Sequence, residues 1–215
     1  HDRGAGPRDP ENGGTGLALT TSGGTLDGVT LRGTLDASGA SQRIRIINGL
    51  TLLTEAGGTP GIANITGSSA SINFQGTQNV NNATINLGSA TTNASLTNEG
   101  AGNTLTLQSG VIVQGSGTIG NQVLAGGNSS LTNQGTISAS NSGRTLTISG
   151  GGVNTFTNEA TMQALAGTTL TISAANWSNA AAGTITGTGA TINFNNNWSN
   201  SGAVTVTNST LNLDG

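Results

Sequence analysis

Between residues 96 and 213 a short strand of alternating apolar and hydroxyl residues is cut off by Gly or Asn and begun again, over and over. One form is an apolar residue followed by Thr or Ser and then Asn. It reads Leu96-Thr97-Asn98, Leu131-Thr132-Asn133, Phe156-Thr157-Asn158, Trp177-Ser178-Asn179 and Trp198-Ser199-Asn200, in steps of 35, 25, 21 and 21 residues. The other form is Thr104-Leu105-Thr106-Leu107, Thr145-Leu146-Thr147-Ile148, Thr169-Leu170-Thr171-Ile172, Thr191-Ile192-Asn193-Phe194 and Thr210-Leu211-Asn212-Leu213. Between them sits a weaker unit, Gly135-Thr136-Ile137 and Gly183-Thr184-Ile185. Three short strands in a period of about 21 residues predict an all-β chain wound as a parallel β-solenoid.

The physical reason lies in the strand period. Side chains alternate between faces, so Leu and Ile point inward while Thr points outward. A single coil cannot bury its apolar side alone. Coils stacked about 4.8 Å apart share backbone hydrogen bonds and close one continuous core. Gly and Asn at the corners supply the positive φ that turns demand. Asn98, Asn133, Asn158, Asn179 and Asn200 are expected to share a register and form an inward amide ladder. The 35-residue step is expected to hold an extra loop at Ala125-Gly126-Gly127-Asn128. A β-sandwich also uses many short strands, but the recurring register favours the solenoid. Residues 17–215 would then make roughly nine or ten coils, a rod on the order of 45 Å long.

Composition agrees with strands and tight turns. Gly, Thr, Asn and Ser number 36, 35, 26 and 21, and no Lys, Tyr or Cys occurs. Charged residues are 7% against about 25% in an ordinary domain. The net charge of −3 and the short β-branched runs separate the chain from disordered sequences, which carry higher charge. From residue 56 to 213 the charges are Glu99, Arg144 and Glu159. That leaves no basic patch for nucleic acid, and no apolar run long enough for a membrane helix. Residues 1–16, with two of the three prolines and several charges, read as a linker or tail. Residues 44–53 form the most apolar stretch and are expected as buried strands.

Candidate sites are few. Acid–base chemistry needs positioned titratable groups, and a glycosidase needs two facing carboxylates. Residues 56–213 hold two Glu sixty positions apart and no His. Asp27 and Asp36 stand in Leu-Asp-Gly and Leu-Asp-Ala contexts and read as turn residues, and His1 as a tail residue. Catalysis is not expected. Gly23-Gly24-Thr25-Leu26-Asp27 echoes calcium-binding repeat turns but does not recur, so no metal and no cofactor is expected. Trp177 and Trp198 stand where Leu96, Leu131 and Phe156 stand in other repeats, which marks core packing rather than a sugar platform. The outward threonines Thr104, Thr106, Thr145, Thr147, Thr169 and Thr171 form the candidate binding face, for glycan or ice. Thr also suits an exposed strand for structural reasons alone, and Asn193 and Asn212 interrupt the array. Asp214-Gly215 follows a strand directly, so the last coil is expected to present an open edge, whose partner would be a neighbouring repeat or a second copy.

Gly-Gly-Thr-Leu-Asp-Gly-Val-Thr-Leu at 23–31, Ser71-Ile72-Asn73-Phe74 and the Asn-x-Gly-Thr-Ile unit at 133–137 resemble the β-helical repeats of bacterial filamentous-haemagglutinin-type adhesins and autotransporter passenger domains. The resemblance covers the chain from about residue 17. It implies a right-handed helix, secretion across a bacterial envelope, and a task in adhesion, biofilm or a surface filament. The expected role is a non-catalytic extracellular shaft or fibre subunit, with the outer Thr/Asn face as the alternative, a binding module.

Overall fold

The computed structural model describes residues 17–120, 124–149 and 153–215. The tail reading of residues 1–16 lies outside the described residues. Among the described residues there are twenty-four strands and no helix. They pair in parallel into three sheets. Sheet 1 has nine strands, from Leu17–Ala18 to Ala203–Thr207. Sheet 2 has nine, from Thr25–Arg32 to Thr210–Leu213. Sheet 3 has six, from Gln78–Val80 to Asn197–Asn200. The chain visits sheets 1, 2 and 3 in turn, and each strand bonds to its counterpart one coil away. This is a parallel β-solenoid of about seven turns. Sheets 1 and 2 are each crossed nine times, while a separate sheet-3 strand stands in six coils, so fewer turns are complete than the nine or ten expected. Along sheet 1 the aligned Ile137, Met162, Ile185 and Val204 are 25, 23 and 19 residues apart.

The core follows from the period-two pattern. In sheet 2, Leu146, Leu170 and Ile192 stack in one inward column and Ile148, Ile172 and Phe194 in the next, all buried. Sheet 1 supplies Ile137, Met162 and Ile185 opposite them. Each fully buried side chain of this size contributes about 1.5–3 kcal/mol relative to exposure.

The apolar 44–53 stretch falls within the strand Arg43–Leu53, with Ile44, Ile46, Leu50 and Leu52 buried. This strand turns a corner without ending. Asn48 takes φ 56°, and the pairing with Thr25–Arg32 slips between Asp27 and Val29. Gln78 of the next coil holds that corner. Its Nε2 donates to Ile46 O at 2.9 Å, and its Oε1 accepts from Gly49 N at 3.0 Å. Asp27 accepts from Asn48 Nδ2 at 2.7 Å, and Asp36 Oδ1 accepts from Ser38 N at 3.0 Å. The second is a local Asx turn.

One assignment needs correction. Leu96 does not share a register with Leu131; it lies in sheet 2 between Ile72 and Ile119. Leu105 is the residue opposite Leu131, so Thr104–Leu107 belongs to sheet 3 rather than with Thr145–Ser149 in sheet 2. Both motifs read apolar-Thr-x, and alternation alone does not say which sheet a strand enters. The 35-residue step therefore runs from a sheet-2 strand to the sheet-3 strand of the following coil. The segment Ala125–Asn128 does lie between the strands Gly117–Ile119 and Ser129–Asn133, where Asn128 O accepts from Gly102 N at 2.9 Å.

Candidate functional site

Sheet 3 has two inward columns. The first runs Gln78, Leu105, Leu131, Phe156, Trp177 and Trp198. The second changes chemistry midway, as Val80 and Leu107 give way to Asn133, Asn158, Asn179 and Asn200. Parallel strands in register set the amides one coil apart, the spacing at which one amide nitrogen reaches the next amide oxygen. Asn133 Nδ2 donates to Asn158 Oδ1, Asn158 Nδ2 to Asn179 Oδ1, and Asn179 Nδ2 to Asn200 Oδ1, each at 2.7 Å. The backbone closes the remaining positions. Asn133 Oδ1 accepts from Gly135 N at 3.2 Å, and Asn158 Nδ2 donates to Ala160 O at 3.0 Å.

Asn98 is not part of this ladder. It stands in sheet 2 opposite Phe74 and donates to Ser130 O at 2.9 Å and Asn103 O at 3.3 Å. Its motif matches the others, but its strand enters the coil one sheet earlier.

The aromatic residues cap the first column. Trp177 is buried, and its indole N–H donates to Asn195 O at 3.0 Å. Its ring stacks on Trp198, with centroids 6.1 Å apart and planes 26° apart, while Phe194 meets it edge-on at 4.7 Å. Trp198 is partly buried in the last sheet-3 strand. Packing accounts for both indoles.

The six candidate threonines divide between two faces. On sheet 2, Thr145 stacks with Thr169, Thr191 and Thr210, and Thr147 lies between Thr118 and Thr171. Thr104 and Thr106 lie on sheet 3, next to Ser130 and Thr132, for the register reason given above. Asn193 and Asn212 break the sheet-2 hydroxyl column, yet they extend its hydrogen bonding. Asn212 Nδ2 donates to Asn193 Oδ1 at 2.7 Å, and Asn193 Nδ2 donates to Thr171 Oγ1 at 2.9 Å. Sheet 1 carries a similar outer run, Gln114 to Asn86 at 2.9 Å and Asn86 to Asn64 at 2.8 Å.

Inner and outer ladders should differ sharply in worth. Water replaces a lost partner on the outer face, so the net value of such a bond is about 1 kcal/mol or less. Asn193→Ala is expected to shift the urea midpoint by no more than that, measured by circular dichroism.

Two features were not anticipated as sites. Glu99 is fully buried, and its Oε1 accepts from Leu124 N at 2.7 Å. Arg144 lines a depression of about 240 Å³ on sheet 2 with Asn93, Gly117, Thr118, Gly143, Thr145 and Thr147. The available signal was the rarity of charge itself: in a stretch so nearly neutral, each charged residue marks a position worth following. Among the described residues no three of His, Cys, Asp and Glu come together as metal ligands. No family model, no curated protein and no solved structure matches this chain.

Proposed function

We propose that the chain is a non-catalytic structural or adhesive β-solenoid of the bacterial cell surface, acting as the shaft of an adhesin or as a subunit of an extracellular fibre. The observation that carries this reading is the continuity of the stack. All three sheets run parallel through successive coils, and columns of identical or similar residues repeat along them. Such a rod resists extension because the load is shared by many backbone bonds at once. The low charge and the absence of Lys suit a protein exposed to salt and to proteases outside the cell. The resemblance of residues 23–31, 71–74 and 133–137 to adhesin repeats supports the same location.

Assembly follows from the same pattern. Leu213 in the last sheet-2 strand is 56% exposed, while Leu211 and Val204 pack only partly against the core. A further coil, from a neighbouring repeat or from a second copy, would extend the Trp177–Trp198 and Asn179–Asn200 columns in register. Electron cryomicroscopy of the purified chain at neutral pH, paired with a thermal melt, is the test. The expected result is rods, or fibres whose stacking repeat of about 4.8 Å crosses the subunit junctions. Irregular particles, or melting below about 45 °C, would remove the mechanical role.

A second reading has one observation of its own. Thr145, Thr169, Thr191 and Thr210 present a hydroxyl once per coil along sheet 2, a regular polar surface suited to a glycan or to ice. The double variant Thr145→Ala with Thr169→Ala separates the two readings. A shaft keeps its rod shape and its melting temperature, whereas a binding face loses its ligand.

A further inference from the structure

We propose that the depression around Arg144 on the outer face of sheet 2 binds a carboxylated sugar, one uronate-type unit of an acidic polysaccharide. The proposal rests on reading that face as a binding surface and does not depend on the shaft role.

Arg144 is the one cationic side chain between residues 56 and 213. It is also held in place. Its Nη2 donates to Asn93 Oδ1 at 2.6 Å, a contact between residues 51 apart in the chain. Ala94, Gly117 and Leu146 are aligned in three successive coils, so the guanidinium reaches across a whole coil to meet Asn93. That is the single hydrogen bond it makes among the described residues, and an arginine carries five N–H donors. The two acidic side chains of the same stretch are engaged elsewhere. Glu99 accepts from Leu124 N, and Glu159 Oε2 accepts from Gln134 Nε2 at 3.0 Å. A pinned guanidinium without a carboxylate partner is suited to take a carboxylate in its fork.

The rest of the lining fits a sugar ring rather than a bare anion. Thr118 and Thr147 are register neighbours, and Thr145 lies on the same face two residues before Thr147. Their hydroxyls stand about 4.8 Å apart across the strands and about 6.6 Å along one strand. Each can donate or accept, as the hydroxyls of a pyranose require. A Cβ built on Gly143 would meet nothing within 4 Å, so the mouth is open on that side. The volume of about 240 Å³ equals several waters at about 30 Å³ each, enough for one ring. No aromatic side chain lines it, so the ring is held by polar contacts alone. Such a site is weak, with a Kd on the order of 1 mM, and weaker still at high salt.

The test is amide NMR of the 21.0 kDa chain titrated with glucuronate, with a galacturonate trimer and with N-acetylneuraminate, and with neutral glucose oligomers as control. Shifts confined to Thr118 and 143–147, produced by at least one of the acids and not by the neutral sugars, are expected. Arg144→Gln should reduce affinity at least tenfold, and Thr118→Val should reduce it a fewfold, with the rest of the spectrum unchanged. Shifts elsewhere along the threonine columns, indifferent to Arg144→Gln, would overturn this site while sparing the binding face. An unchanged spectrum with every sugar, at tens of millimolar, would overturn the site and the glycan reading of the face together.

Discussion

Asn158→Ala is expected to destabilise the C-terminal coils by about 3 kcal/mol, because it cuts a buried ladder in the middle. Asn158 is fully buried, accepts from Asn133 and donates to Asn179. Alanine would leave Asn179 Oδ1 without its ladder donor, and Asn133 Nδ2 with only Thr161 O at 3.1 Å. Each buried polar group stripped of its partner costs about 1–3 kcal/mol. In a stacked repeat such damage is felt mainly by the neighbouring coils. Trp177 and Trp198, the only tryptophans of the chain, sit in those coils and report them by fluorescence. A urea midpoint that falls by the equivalent of less than about 1 kcal/mol would mean that water enters and replaces the ladder. Asn158→Asp sharpens the test through its pH dependence. A protonated Asp donates to Asn179 Oδ1 as the amide does, while a carboxylate faces that oxygen with no proton. Folding therefore raises the pKa of the introduced group. The variant should be most stable below the unfolded value of about 4 and should lose stability as pH rises through the folded one.

The second large effect is expected at a corner. Gly115 ends the sheet-1 strand Ile112–Gly115 with φ 127°, a conformation that L side chains rarely adopt. A Cβ placed there would lie 1.9 Å from Leu87 O in the neighbouring coil. That oxygen cannot retreat, because it accepts the coil-to-coil bond from Ser116 N at 2.7 Å. Gly115→Ala should therefore cost about 3 kcal/mol or more, since backbone strain and broken pairing add together. Gly76→Ala is the control. Gly76 also has positive φ, at 85°, but a Cβ there would meet nothing within 4 Å, so only strain of about 1–2 kcal/mol is expected. Urea midpoints and soluble yields of the two variants are the comparison to make. Equal losses would show that the close approach at Gly115 relaxes freely and that the corner geometry is not demanding.

Asn158 and Gly115 also mark how far local reading reaches. The inward placement of Asn133, Asn158, Asn179 and Asn200 was legible, because alternation assigns a face to every residue of a strand and the motif repeats it. Their mutual bonding required the coils to stack in register, which the roughly even spacing from Leu131 onward made readable. Asn98 broke the pattern, since Leu96-Thr97-Asn98 has the same local sequence but sits one sheet earlier in its coil. Thr104 and Thr106 changed faces for the same reason. The Arg144–Asn93 contact had no local signal, since it joins residues 51 apart across an intervening coil.

What the amino-acid sequence determined by itself is the material of the fold: short strands, an apolar side, corners of Gly and Asn, and coils that must stack to bury that side. These follow from side-chain alternation and backbone sterics, which act over a few residues. Only the tertiary structure decided which strand lies on which, and hence which amides form the ladder, which threonines share a face and where Arg144 comes to rest. Many coils offer nearly interchangeable strands, so pairing is chosen by the summed lengths of turns and excursions and by the packing of the column as a whole, a property of the stack and not of any one repeat.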